Sequence, residues 1–117
     1  MVADIYDNGL DAERMHSVAL TDESSQIKKL RSLAQELSIC LAFGYADAVG
    51  PDAVCNAAMF VDHTGAICGK YHKLQLAEGH VEGNWYNELG QNGRAFDTPL
   101  GRVGFLICND RCKLRCQ

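Results

Sequence analysis

A run of apolar residues that ends on a cysteine is the feature that most limits how this chain can fold. Residues 103–107 are apolar apart from one glycine, and Cys108 is followed directly by Asn109 and Asp110. A short apolar run with polar residues at its end is typical of a buried strand. We therefore predict a strand over residues 102–108 that places the Cys108 thiol at the rim of a sheet.

The chain before this strand predicts two helices and four further strands. A short helix is expected around residues 10–18. A longer amphipathic helix is expected from a cap at Thr21 or Asp22, because apolar side chains recur at helical spacing: Ile27, Leu30, Leu33, Ala34 and Leu37. Strands are predicted over residues 39–45, 54–61, 66–71 and 95–98, with a hairpin turn at 62–65 and a long polar loop over 74–95. Together these elements predict an α/β or α+β layer arrangement, of which we favour α/β.

Length and charge narrow the functional classes. A chain of 117 residues forms one small domain at most. The net charge of −4 gives no electrostatic reason to expect binding to nucleic acid or to an anionic membrane. No apolar run approaches the roughly 18 residues of a membrane-spanning helix, and no signal-peptide pattern follows Met1. We expect a cytoplasmic protein, in which the six cysteines stay reduced.

Cys108 is compatible with two roles when it is considered alone, and so are the charged residues that precede it. Free cysteine is among the most often buried residue types, so a core thiol is the simpler interpretation. A nearby cation, such as Lys73 at the end of a predicted strand, would instead favour a nucleophilic thiolate. The loop carboxylates Glu78, Glu82 and Glu88 are either solvated or placed to take part in proton transfer.

A metal or redox site is the alternative from another functional class. Cys108, Cys112 and Cys116 would share one face of a helix if the end of the chain were helical. Their spacing is not the paired-cysteine pattern of structural zinc sites, and the histidines lie in separate elements. A small thiol-rich metal-binding or redox module therefore stays open as a second hypothesis, whereas the primary interpretation needs no metal and no cofactor.

Two longer motifs decide between these interpretations. Residues 69–76 match a G-x-Y-x-K-x-x-L pattern around Lys73, and residues 101–110 match a G-R-[IV]-G-x-x-[IV]-C-x-[DE] pattern around Cys108. The lysine and the cysteine are 35 positions apart (108 − 73). In sequence and in order these motifs resemble the lysine and cysteine motifs of the nitrilase superfamily of carbon–nitrogen hydrolases. The resemblance covers residues 20–111, and the pair of motifs is far more specific than either one.

The resemblance implies an α-β-β-α sandwich and a Glu-Lys-Cys catalytic triad. Cys108 would be the nucleophile that attacks a small-molecule amide or N-carbamoyl amine and forms a thioester. Lys73 and the backbone N–H of Asn109 would stabilise the tetrahedral intermediate. Glu82 would match an additional active-site glutamate that helps to hold the lysine and the substrate. The resemblance also implies that subunits pair when the full domain is present.

The chain departs from the family at both ends. The family's general-base glutamate precedes the first helix, and no residue here matches it. Residues 112–117 match nothing expected after the cysteine motif. We therefore expect residues 1–111 to form a partial carbon–nitrogen hydrolase domain, its N-terminal half without the first strand, followed by a non-matching tail. By itself such a fragment is expected to have little or no hydrolase activity, because no base assists the thiol or the deacylation.

Overall fold

The computed structural model describes residues 12–77, 86 and 88–112. Its elements are α1 (Ala12–Val18), α2 (Ser25–Leu37), β1 (Leu41–Gly50), β2 (Ala53–Val61), β3 (Ile67–His72), β4 (Phe96–Thr98), β5 (Gly101–Val103) and a 3-10 turn (Cys108–Cys112). The first three strands form an antiparallel sheet in the order β1-β2-β3, and β4 and β5 form a separate hairpin. These elements confirm the predicted α/β class. Neither helix in the described part of the chain is long and apolar enough to cross a membrane.

The turn between β2 and β3 forms as its sequence predicts. The Asp62 carboxylate accepts hydrogen bonds from the Thr64 hydroxyl at 2.6 Å and from the backbone N–H groups of Thr64 and Ala66 at 2.8 and 3.1 Å. Gly65 has a φ of 81°, which glycine adopts without steric cost. Arg31 of α2 donates from Nε to the Gly65 carbonyl at 2.8 Å, so the turn is also attached to the helix.

The three-stranded sheet is covered on both faces. One face packs against α2 through a buried cluster of six residues: Ile27, Ala34, Tyr45, Ala57, Met59 and Val61. The other face carries Ala58, Tyr71 and Leu74, and the segment that leads to Cys108 packs on it through Phe105 and Ile107. Because side chains alternate along a strand, neighbouring residues of β2 and β3 serve opposite faces. The sheet thus separates α2 from the segment that leads to Cys108.

The body of the longer helix is confirmed, but its predicted start and part of its buried face are wrong. The helix begins at Ser25 with Ser24 as its cap residue, because Thr21 forms a turn with Ser24 and Asp22 binds Lys70 instead. Leu33 and Leu37 are 40% and 55% exposed. The contact with the sheet is a narrow stripe centred on Ile27 and Ala34, and these two leucines lie beside it.

Three of the predicted strands agree closely with the structure. The strands predicted over 54–61, 66–71 and 95–98 correspond to β2, β3 and β4, and the strand predicted over 39–45 begins at Leu41 and continues to Gly50. Gly44 does not end that strand, because its backbone is paired with Ala58. The short helix predicted around 10–18 is α1, and the first two residues of that prediction lie outside the described residues.

The predicted strand over residues 102–108 is wrong beyond Val103. Residues 104–107 have no regular structure, and β5 pairs only with the three residues of β4. Among the described residues no strand lies beside this segment, and a strand needs a partner for its backbone groups. The segment keeps an alternating pattern, however: Leu106 is 55% exposed whereas Phe105 and Ile107 face the sheet.

A cluster of charged side chains joins β1, β3 and the start of α2. Asp47 is 2% exposed, and its Oδ2 accepts hydrogen bonds from His72 Nε2 at 2.6 Å and from Lys70 Nζ at 3.0 Å. Lys70 Nζ also binds Asp22 Oδ1 at 2.8 Å. Burial alone would raise the pKa of Asp47, but the hydrogen bonds from His72 and Lys70 outweigh it and lower this pKa. Burial likewise opposes the charge of Lys70, yet its two carboxylate partners raise its pKa.

We expect this cluster to give the fold a stability plateau at intermediate pH. Because the folded-state pKa of Asp47 is lowered, its contribution is complete above about pH 4 and is lost as the pH falls through the folded value. The pKa of Lys70 is raised, so its contribution is complete below about pH 10 and is lost as the pH rises through the folded value. In urea unfolding, Asp47→Asn should show a smaller acid-side decrease than the unaltered chain. The exposed Asp97→Asn should not, and equal acid limbs for Asp47→Asn and the unaltered chain would contradict this role.

Candidate active site

Lys73 follows β3 directly and is held at both of its backbone polar groups. Its N–H donates to the Asn56 carbonyl at 2.8 Å, and its carbonyl accepts from the Gly90 N–H at 2.9 Å. The residue is only 2% exposed. Lysine is almost never fully buried unless its ammonium has partners. Lys73 is therefore not a solvated residue at the end of the strand.

Two glycines near the end of β3 each allow another part of the chain to approach closely. A Cβ at Gly69, the first residue of the lysine motif, would lie 2.4 Å from the Phe96 ring. A Cβ at Gly90 would lie 2.1 Å from the His72 carbonyl oxygen. Only a glycine allows contacts of this kind without a shift of the backbone or the ring. The surroundings of Lys73 are thus packed at backbone level.

Cys108 is exposed and begins the 3-10 turn, with a φ of 46°. This is the left-handed region, which costs a non-glycine residue about 1–2 kcal/mol. Strained backbone of this kind is concentrated at functional sites. The core-thiol interpretation is wrong for Cys108, because the residue is not buried. Cys55, by contrast, is a buried thiol. Its pKa is raised to about 11 by burial and by the Asp47 and Glu88 carboxylates, so that the thiol stays protonated at neutral pH.

The Asp110 carboxylate joins the lysine motif to the cysteine motif. Asp110 is 0% exposed. Its Oδ1 accepts hydrogen bonds from the backbone N–H groups of Leu74 and Gln75 at 3.1 and 2.9 Å. Its Oδ2 accepts from the Ile107 N–H at 3.1 Å and from the Tyr71 hydroxyl. We call this carboxylate with its four donors the Asp110 bridge.

A second contact supports the same junction. The Asn109 side chain donates from Nδ2 to the Leu76 carbonyl at 2.8 Å. Residues 74–76, which follow Lys73, are therefore bonded to Asn109 and Asp110, which follow Cys108. The structure thus brings the two motifs into contact.

Sequence reasoning missed Asp110 as a functional candidate. It entered only as the last position of the cysteine motif, and Tyr71 only as the third position of the lysine motif. Both side chains are buried, and they bind each other. The sequence did contain a signal, because each motif specifies a polar position besides its candidate catalytic residue, Tyr71 in the lysine motif and Asp110 in the cysteine motif. Two such positions could have been predicted to bind each other.

Of the three loop carboxylates, the described residues include Glu88. Glu82 and Glu78 lie outside the described residues, so the predicted role of Glu82 stays a prediction. Glu88 is described, and its N–H donates to the Val54 carbonyl at 3.2 Å. It lines a cleft of about 390 Å³ together with Cys55, Lys70 and His72. The cleft is lined by His72, which directly precedes Lys73 and binds Asp47. Lys73 does not line it.

The thiol-rich alternative receives no support from the part of the chain that is described. Cys108 and Cys112 are both exposed and lie in the same turn, whereas Cys116 lies outside the described residues. Within residues 12–77, 86 and 88–112, no three side chains of metal-ligand type gather at one point. The metal-binding or redox module therefore stays a hypothesis that depends on the last residues of the chain.

Comparison with known proteins places this arrangement in a family. The family model described as carbon-nitrogen hydrolase matches residues 5–112. The NitFhit fusion protein of Caenorhabditis elegans is 27% identical over 112 residues, which cover 87% of this chain and 26% of that protein. The bromoxynil-specific nitrilase of Klebsiella pneumoniae subsp. ozaenae is 31% identical over 91 residues, which cover 77% of this chain and 25% of that protein. The chain thus spans about a quarter of the length of these relatives.

Solved structures agree on the fold. The crystal structure of the C. elegans NitFhit protein superimposes with a TM-score of 0.72 at 24% identity and covers 91% of this chain and 28% of that one. A carbon-nitrogen hydrolase from Helicobacter pylori G27 superimposes with a TM-score of 0.68 at 21% identity and covers 74% of this chain and 30% of that one. The sheet and helices described above are therefore part of the nitrilase-type sandwich. With a family model that matches nearly all of its residues and both motifs joined in space, this chain belongs to the carbon–nitrogen hydrolase family.

Proposed function

We propose that this chain carries the nucleophile and the oxyanion-stabilising lysine of a hydrolase that acts on non-peptide carbon–nitrogen bonds. The observation that supports this most directly is the Asp110 bridge, which ties the segment after Lys73 to the segment that contains Cys108. The exposure and left-handed backbone of Cys108 are further support, because a nucleophile must be both accessible and fixed.

The proposed acyl transfer begins at the Cys108 sulfur. The thiolate attacks the substrate carbonyl carbon, and a C–S bond forms as the carbonyl π electrons move to oxygen. Lys73 and the Asn109 N–H stabilise that oxyanion. Its collapse breaks the C–N bond, and the leaving amine takes up the proton that the thiol released, which leaves a thioester on Cys108. Water then cleaves the thioester to a carboxylic acid and the free thiol.

Hydrolysis of the thioester is the step for which this chain offers no assigned residue. Neither motif supplies a general base, and Glu82 would serve the lysine and the substrate. We therefore propose that this chain turns over amides slowly or not at all, because no base assists the thiol or the deacylation. An activated ester, whose leaving group departs without a proton, should still acylate Cys108 and leave a stalled acyl-enzyme. Steady amide turnover by the purified chain, abolished by Cys108→Ala, would overturn this part of the proposal.

The proposed substrate is a small amide or N-carbamoyl amine. The curated relatives are named nitrilases, whereas a mutant of an amidase from Nesterenkonia sp. that shares the fold was crystallised with the acetamide moiety of fluoroacetamide bound to its active-site cysteine. Fluoroacetamide and fluoroacetonitrile differ only in the group that distinguishes an amide from a nitrile substrate. After each labelling rate of Cys108 is divided by the rate of the same reagent with free cysteine, the larger ratio is expected for fluoroacetamide. A larger ratio for the nitrile would favour nitrile substrates.

The nucleophile itself is tested with 4-nitrophenyl acetate. The purified chain should release about one equivalent of 4-nitrophenolate rapidly, with the acetyl group on Cys108 in a peptide map, because a stalled acyl-enzyme gives a burst. Cys108→Ser should abolish the burst. Cys112→Ser is the matched control, since Cys112 is exposed in the same turn, and it should leave the burst unchanged. Equal acetylation of Cys108 and Cys112 would refute the proposed nucleophile.

A further inference from the structure

Most of the hydrogen bonds that the Asp110 carboxylate accepts come from residues far from its own turn in the sequence. One of its donors, the Ile107 N–H, is close in sequence and lies directly before the 3-10 turn. The other three donors come from residues 71–75, which are 35 or more positions away. A completely buried carboxylate is costly to desolvate and persists only where its hydrogen bonds are satisfied.

The donors of this carboxylate lie close in sequence to both candidate catalytic residues. Tyr71 and Leu74 lie on either side of Lys73 in the sequence, and Ile107 directly precedes Cys108. Oδ1 accepts from the two residues that follow Lys73. Oδ2 accepts from Tyr71 and from Ile107, which precedes Cys108. The two oxygen atoms of one rigid, planar group therefore connect the backbone at one side chain with the backbone at the other.

We propose that Asp110 is a positioning residue, which sets the placement of Lys73 relative to Cys108 and thereby lets the lysine charge act on the reaction at the thiol. This inference rests on the proposed function of those two residues. Asp110 itself does not touch the substrate. Its effect passes through the backbone on either side of the lysine and the cysteine, so its loss should uncouple the two residues and not remove either one.

The uncoupling can be measured with a double-mutant cycle on the acylation of Cys108 by 4-nitrophenyl acetate. In the unaltered background, Lys73→Met is expected to slow acylation about 100-fold, the magnitude of a lost oxyanion donor. In the Asp110→Asn background, the same Lys73 replacement should slow it less than about tenfold, because residues in one hydrogen-bonded network are not additive. Asp110→Asn keeps the size of the side chain. The amide has one acceptor oxygen, so either the two donors to Oδ1 or the two donors to Oδ2 lose their acceptor.

A merely structural role would give a different result. Asp47→Asn is the matched control, because Asp47 is also a buried carboxylate, is 2% exposed, and contacts the opposite face of the same sheet. It should lower the unfolding midpoint and leave the effect of Lys73→Met near 100-fold. If Asp110→Asn also leaves that effect near 100-fold, the positioning role is wrong.

Two further outcomes are separated by the same measurements. If Lys73→Met has no effect in the unaltered chain, the proposed function fails, and Asp110 is then irrelevant to catalysis. If Asp110→Asn does not give a cooperative unfolding transition, Tyr71→Phe carries the test, since it removes one donor to Oδ2 and keeps the carboxylate. Tyr71→Phe should then reduce the effect of Lys73 in the same direction, and an unchanged effect would overturn the inference.

Discussion

Replacement of Lys73 by methionine is expected to slow acylation of Cys108 about 100-fold while the chain stays folded. Methionine keeps the length and much of the apolar volume of the buried lysine side chain, which is 2% exposed, but it removes the ammonium. The oxyanion would then lose its charged partner. Stopped-flow release of 4-nitrophenolate measures the effect directly.

Lys70→Met is the matched control for this experiment. Lys70 is three residues earlier, on β3, but its ammonium binds Asp22 and Asp47 on the other face of the sheet. Its loss should decrease stability and leave the acylation rate of Cys108 within a factor of about two, because Phe105 and Ile107 of the cysteine motif pack on the opposite face. A similar rate decrease in both variants would mean that general loss of structure, and not the Lys73 charge, controls the thiol.

Replacement of Gly90 by alanine adds one methyl group and is expected to destabilise the fold strongly. The new Cβ would lie 2.1 Å from the His72 carbonyl oxygen and 2.9 Å from its carbon, both of them backbone atoms that cannot rotate away. The segment would have to move away from β3, and the 2.9 Å hydrogen bond from Gly90 to the Lys73 carbonyl would be lost. Overpacking of this kind costs about 3 kcal/mol, which urea unfolding would measure as a lower midpoint.

Gly104→Ala provides the comparison for Gly90. A Cβ at Gly104 would meet only Ala95, at 3.8 Å, which is an ordinary van der Waals contact. This variant should unfold within about 0.5 kcal/mol of the unaltered chain. Equal midpoints for the two alanine variants would contradict the close approach of residues 88–92 to the end of β3.

Sequence reasoning was most successful where the determining interactions are local. The turn at residues 62–65 depends on Asp62 and Gly65 within four positions, and the body of α2 depends on apolar spacing within thirteen residues. Both were predictable because turn chemistry and helical period are written into short stretches. The α/β class followed from these elements.

Prediction failed where the outcome depends on distant partners. An apolar run over residues 103–107 predicts a strand, but strand formation needs a neighbouring backbone, and β5 ends at Val103. The exposure of Leu33 and Leu37 likewise depends on what covers α2 and not on the helix itself. For the site, the motifs correctly indicated that the segments of Lys73 and Cys108 meet, whereas the carboxylate that joins them could be identified only from its hydrogen bonds.

The Asp110 bridge is made mostly of main-chain donors, and this determines which mutations it can withstand. Three of its four donors are backbone N–H groups, at Leu74, Gln75 and Ile107. Every residue except proline supplies such a donor, so the side chains at these positions can change as far as packing allows without loss of a hydrogen bond. The junction is thus encoded by one carboxylate and the path of the backbone, and much of the surrounding sequence can drift while the two motifs stay bound.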